Sequence, residues 1–206
     1  MIKRLRQQER LGAERADSLI DHTDDSQKER RRADSNNRFY LTVHSQLDAL
    51  TTVQQWFENL LHCFSDSSPA PSVWVDEVFD QLNLALAEGF TNAVRHAHAR
   101  LPGDTPIVLE CWVQVHRLEI RIFDQGEPFD PDSLVEPQPG TLREGGYGWF
   151  LLRRLVDEVA YERIQPEFLI KRLFDARLMH SVNTCVEPKR ADIQRICNCL
   201  RLVKTA

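Results

Sequence analysis

No run of apolar residues in this chain approaches the length of a membrane span. The opening segment, MIKRLRQQERLGAER, lacks the apolar centre of a secretory signal, so neither export nor anchoring is expected and the cytoplasm is the expected compartment. Basic residues are not in excess: 26 Lys and Arg stand against 31 Asp and Glu, a formal net charge of -5. That balance argues against a nucleic-acid-binding domain. Cysteine is scarce, an odd five, with Cys197 and Cys199 separated by a single residue and no histidine cluster beside them. Neither a disulfide framework nor a zinc site is expected from that spacing, and free thiols in a reducing compartment are. Residues 1–38 are charge-rich and poor in aromatics, too poor in apolar surface to offset chain entropy. They are expected to form a mobile tail whose Arg30–Arg32 run is either solvated or a docking arm for an acidic partner.

The remainder suffices for one globular domain, expected over 39–206. Phe39, Leu41 and Val43 alternate as in a strand, and Ser45 stands where it could cap a following helix. Leu47, Leu50, Phe57, Leu60, Leu61 and Phe64 give that helix a buried stripe, and residues 65–72 read as a loop. A second, longer helix follows, with Val75, Val78, Phe79, Leu82, Leu86, Phe90, Ala93 and Ala97 recurring near the helical period. Past the Leu101–Asp104 turn, Leu109, Cys111, Val113 and Val115 alternate, then Leu118, Ile120 and Ile122. The short link between the two sets predicts an antiparallel hairpin.

Three stretches carry polar residues that this framework does not need. In EGFTNAVRHAH (88–98), Glu88, Asn92 and Arg95 are spaced to share a helix face, with His96 at its margin. Asp124 has the parity of Leu118, Ile120 and Ile122, so a strand reaching it would turn this carboxylate toward the core, a poor place without a partner. Gly126 then permits a turn or a close approach; the alternative is an Asx-type turn that merely closes the strand. A proline-bearing loop over 131–144 ends in GGYGWFLLRRLVDEV. Glycines running into a helix N-terminus offer free backbone N–H groups and a positive dipole end, a design suited to phosphate, or else a hinge. No Gly-Lys-Ser/Thr follows, so this is not a Walker A loop, and no strand directly precedes it, so it is not the dinucleotide fingerprint.

In order and spacing the three stretches resemble the nucleotide-binding boxes of the GHKL ATPase superfamily. EGFTNAVRHAH resembles the N box, DQGEPFDP the first glycine box and GGYGWFLLRRLVDEVAYER the second. The resemblance is strongest to the anti-sigma-factor serine/threonine protein kinases of bacterial partner-switching systems, and covers residues 39–164 and the last strand, Leu200 to Lys204. It implies an α/β sandwich: a mixed, mostly antiparallel sheet covered on one face by helices, with ATP between sheet and helices. It further implies that Asn92 ligates Mg²⁺, that Glu88 is the general base, and that Asp124 binds the adenine amino group. Gly126 lets the base approach, Gly146 and Gly148 hold phosphates, and Arg95, His96 and Arg143 are placed to touch them. The implied partners are an antagonist protein phosphorylated on Ser or Thr and a sigma factor or other regulator, with a homodimer as the expected assembly.

Two departures stand out. Pro128 occupies a position where the first glycine box often has another glycine. Residues 165–195 intervene where a short hairpin is usual, and Leu169, Ile170, Leu173, Phe174 and Leu178, with Pro166 near the start, predict an amphipathic helix. That insertion is either an extra helix packed on the sheet or a partner-binding surface. The alternative function is a nucleotide-binding module without protein kinase activity, or one of histidine-kinase type. A complete histidine kinase is disfavoured, because His22 and His44 lack the H-E/D-x-x-K/R context of a phosphoacceptor.

Overall fold

The computed structural model describes residues 37–67, 72–127, 130–134, 147–178, 182–184 and 189–206. Strand β1 is Arg38–His44, followed by helices α1 (Ala49–Ser67) and α2 (Ser72–Asn92). A π-helical turn, Ala93–Ala97, extends α2. Strands β2 (Pro106–Gln114) and β3 (Arg117–Asp124) form the expected hairpin. A short 3₁₀ turn, Pro131–Ser133, precedes helix α3 (Gly148–Leu155) and strand β4 (Glu158–Arg163). Helix α4 (Pro166–Leu178), strand β5 (Val182–Thr184), the single-turn α5 (Arg190–Ile193) and strand β6 (Asn198–Thr205) complete the chain.

The strands form one sheet in the order β4-β6-β3-β2-β1-β5. Every pairing is antiparallel except β1 with β5. Strand alternation sorts side chains onto two faces. Leu41, Leu109, Cys111, Ile120, Ile122, Leu200 and Leu202 face α1, α2 and α3, and meet Phe57, Leu82, Leu86, Phe90 and Leu152 in the main core. Each such side chain contributes roughly 1.5–3 kcal/mol through burial, so this face holds most of the fold together.

Helix α1 begins two residues beyond Leu47, which is 45% exposed, while Val53 and Trp56 are buried in its place. Ser45 is not its cap: it precedes the helix, and its backbone N–H donates to Thr105 O at 2.9 Å.

The inserted segment packs on the opposite face. Leu169 and Leu173 of α4, with Ile193 and Ile196, form a second core against Tyr40, Val108, Phe123 and Cys199. Beside it, Glu110 is 1% exposed. Its carboxylate accepts from Tyr40 Oη at 2.8 Å, Arg38 Nη1 at 2.7 Å and, through Oε2, Arg172 Nη1 of α4 at 2.6 Å. Burial and the adjacent Glu110 charge push the Tyr40 hydroxyl well above its ordinary pKa, so it stays a donor. Of the two readings of the insertion, the helix packed on the sheet is the one the structure displays for 166–173.

Candidate functional site

Helix α2 ends where its core stripe is interrupted by Glu88 and Asn92, one turn apart and both half-buried. Across from them lies the first residue of α3. A methyl group built on Gly148 would sit 3.3 Å from Glu88 Oε2 and 3.2 and 3.4 Å from Asn92 Nδ2 and Oδ1. The N-terminal turn of α3 therefore approaches the Glu88–Asn92 pair with only a hydrogen atom between, and any side chain at 148 would crowd both polar groups. Arg143, Gly145 and Gly146 lie outside the described residues, as does Pro128.

The expected common face of Glu88, Asn92 and Arg95 breaks at Asn92. From Ala93 the turn closes i→i+5, with His98 N donating to Ala93 O at 2.8 Å. A π turn under-winds the helix, so α-helical spacing no longer carries Arg95 and His96 onto the Glu88–Asn92 line. Both are exposed.

Asp124 is 2% exposed and lies on the main-core side of the sheet, as its parity predicts. Its Oδ1 accepts from Gly126 N and from Asn198 Nδ2, each at 2.8 Å. Oδ2 receives Tyr161 Oη at 3.2 Å. Burial, and then the Asp124 charge, push the Tyr161 hydroxyl well above its ordinary pKa, so it remains a donor to the carboxylate. Asn198 sits directly opposite Asp124 in the β3–β6 register and is wholly buried. Its amide donates both protons, to Asp124 and to Gly126 O at 2.8 Å, which fixes the amide orientation and leaves Asn198 Oδ1 a buried acceptor with no partner among the described residues. Asp124 and Asn198, opposite each other in the β3–β6 register, thus each offer an acceptor oxygen, Oδ2 and Oδ1, beyond the bond that joins them. Their chemistry suits an N–H donor such as an exocyclic amine.

Gly126 is closely approached by the end of the π turn. A methyl group there would lie 2.6–2.7 Å from Ala97 Cβ, Cα and O, so what the glycine admits in this structure is the π turn. That contact joins the end of α2 to the turn carrying Asp124.

Sequence reading did not single out Tyr161, Asn198 or His98. Tyr161 shares the parity of Val159 within VDEVAYER, a signal that was present. Asn198 precedes the expected start of the last strand, and only the cross-strand register reveals it.

Residues 43–175 match the family model described as "Histidine kinase-like ATPase domain". The chain belongs to this family. The matched span contains Glu88, Asn92, Asp124, Gly148 and Tyr161, and ends before Asn198. Among curated proteins the chain is similar to the serine-protein kinase RsbW of Listeria monocytogenes serotype 4a, 32% identical over 91 residues, 40% of this chain. It is 37% identical over 95 residues to the protein of the same name from Bacillus pumilus, 42% of this chain. A third, from Oceanobacillus iheyensis, is 34% identical over 91 residues. The chain spans 57%, 59% and 57% of the lengths of these relatives. No helix among the described residues is long and apolar enough to cross a membrane.

Proposed function

We propose that this histidine kinase-like ATPase domain binds MgATP and transfers its terminal phosphoryl group to a serine or threonine of a protein partner. The observation that carries the reading is the closeness of Gly148 to Glu88 and Asn92, together with the buried acceptor pair at Asp124 and Asn198. Membership of an ATPase domain family and the similarity to proteins named serine-protein kinase support it.

The chain's own residues divide the task. Asp124 Oδ2, on a carboxylate held by Gly126, Asn198 and Tyr161, accepts from the adenine amino group. The amide oxygen of Asn92 is a hard donor suited to Mg²⁺, which tolerates few protein ligands and keeps water and phosphate oxygens for the rest. Mg²⁺, when bound, neutralises phosphate charge. The α3 N-terminus presents backbone N–H groups beside Asn92. Glu88 accepts the proton of the attacking hydroxyl. Arg95 and His96, exposed at the rim, and Gly126, Arg143 and Gly146 remain assigned to the nucleotide by resemblance. The partner set, an antagonist protein as phosphoacceptor and a sigma factor or other regulator as binding target, is proposed on the same basis, as are the homodimer and the cytoplasmic setting.

The test is transfer of labelled phosphate to candidate antagonist proteins by wild type and Glu88→Gln. The expected product is acid-stable phosphoserine or phosphothreonine, reduced about 10²–10⁴-fold in the variant while MgATP binding persists. Acid-labile phosphohistidine would move the protein to the histidine-kinase class. No transfer by either protein, with nucleotide-dependent partner binding intact, would establish the binding module instead.

A further inference from the structure

His98 has no part in the proposed chemistry, yet it is 3% exposed and stands between the two halves of the site. The π turn puts it there. One extra residue in an i→i+5 turn rotates the rest of the segment by roughly 100° relative to a continued α-helix. The His98 backbone closes that turn on Ala93 O, and its ring reaches the other way, where Nε2 accepts the Gln125 backbone N–H at 2.9 Å. That bond dictates the tautomer: the lone pair is on Nε2 and the proton on Nδ1, which has no partner among the described residues.

Gln125 is the middle residue of the turn bearing Asp124 and Gly126. From the β6 side the turn is already held, Cys197 N donating to Asp124 O at 3.1 Å and Asn198 Nδ2 to Gly126 O at 2.8 Å. From the helix side, Ala97 presses on Gly126 and His98 takes the Gln125 proton. We propose that His98 is a positioning residue for the nucleotide: by accepting the Gln125 N–H it locks the Asp124–Gly126 turn to the helix that carries Glu88 and Asn92, so that base recognition and phosphate contact are set in one geometry. The proposal rests on the MgATP reading.

Only the neutral imidazole can serve. A proton on Nε2 would set N–H against N–H. Burial holds the His98 pKa below its ordinary value, against the opposing pull of the Asp124 carboxylate, the charged group that bears on the ring from β3. Arg95, His96 and Arg100 on its own segment are exposed. On the β6 side of the turn, Gln125 Nε2 donates to the Asp192 backbone carbonyl of α5 and Cys197 Sγ lies 3.8 Å from Gly126 O. A lowered folded-state pKa means that the unfolded chain takes up the proton first. Stability is therefore intact above the ordinary value of about 6.5 and declines as pH falls below it, and the contact itself is lost at the lower, folded-state value.

The experiment measures MgATP affinity calorimetrically between about pH 8 and pH 5.5 in wild type, His98→Gln and His98→Phe, with the Gln125 amide followed by NMR in the nucleotide-free protein. The Gln amide oxygen accepts at every pH, and its profile carries the titration of the nucleotide's own phosphates. The expected result is that wild-type affinity falls about two- to fivefold further than that of His98→Gln toward low pH. His98→Phe binds about tenfold more weakly than wild type at neutral pH, with no such extra slope. The wild-type Gln125 amide shifts with the imidazole titration. Superimposable wild-type and His98→Gln profiles, or a His98→Phe variant that binds as wild type, would overturn the proposal and leave the nucleotide reading standing. Absence of MgATP binding in wild type at every pH would overturn both.

Discussion

Among the described residues, Asp124 Oδ1 accepts at 2.8 Å from Gly126 N and Asn198 Nδ2, and Oδ2 accepts from Tyr161 Oη at 3.2 Å. On the proposed MgATP reading, base selectivity belongs to the less-used oxygen. A base with an amino group at that position is accepted, whereas guanine presents a carbonyl to a carboxylate. Hydrogen bonds to charged groups differ by about 1.5–3 kcal/mol when unmade, so ATP should outcompete GTP by roughly 10–100-fold. In Asp124→Asn the Oδ1 contacts with Gly126 and Asn198 persist while the other position becomes a donor, and the preference should shrink to about a few-fold. Equal affinity for ATP and GTP in wild type, unchanged in the variant, would remove Asp124 from base recognition. The inward placement of Asp124 was legible in the sequence because strand parity alone turns it inward beside Ile120 and Ile122. Asn198 and His98 were not, because each acts through a contact with a residue far away in sequence. No local pattern reports that Asn198 lies opposite Asp124 or that a π turn aims His98 at Gln125.

Among the elements, α4 carries the clearest energetic consequence. Its stripe was readable from Leu169, Ile170 and Leu173, but the side of the sheet it covers was not, since the same stripe would suit a partner surface. Leu169 is wholly buried among Tyr40, Val108 and Phe123. Leu169→Ala should cost about 2–5 kcal/mol, seen as a fall in Tm, with nucleotide affinity of the folded protein retained. A Tm within about one degree of wild type would show instead that α4 is detachable. Arg172→Ala leaves the buried Glu110 with Arg38 and Tyr40 and should cost about 1–3 kcal/mol, read from the denaturation midpoint. At the other edge, Asp157 ties the start of β4 to the end of β6, accepting from Thr205 N and Oγ1 at 2.8 Å each and from Lys204 Nζ at 3.1 Å. Burial alone would raise its pKa, but these donors bring it below the ordinary carboxylate value. Its contribution is therefore present above that value and is lost as pH falls through the folded-state one. Asp157→Asn should flatten the acid limb of a stability–pH profile, and an unchanged limb would contradict the assignment.

For the molecule as a whole, the sheet divides the labour. One face, with α1, α2 and α3, holds the main core, and Gly148 closes on Glu88 and Asn92 there while Asp124 is buried at the end of β3. The other, with α4 and the buried Glu110, stabilises the sheet from behind. The architecture was legible because helical and strand periods alternate cleanly over 39–164. The second face was not, because Val108, Glu110 and Phe123 read as the outward positions of a sheet covered on one side. On the proposed reading, a metal–nucleotide complex spans from Asn92 to Asp124. Calorimetric titration of ATP into wild type and Asn92→Ala, with and without Mg²⁺, tests it most directly. Mg²⁺ should strengthen ATP binding to wild type by about tenfold or more and do little for an Asn92→Ala protein that still melts cooperatively. Equal affinities in all four titrations would contradict it.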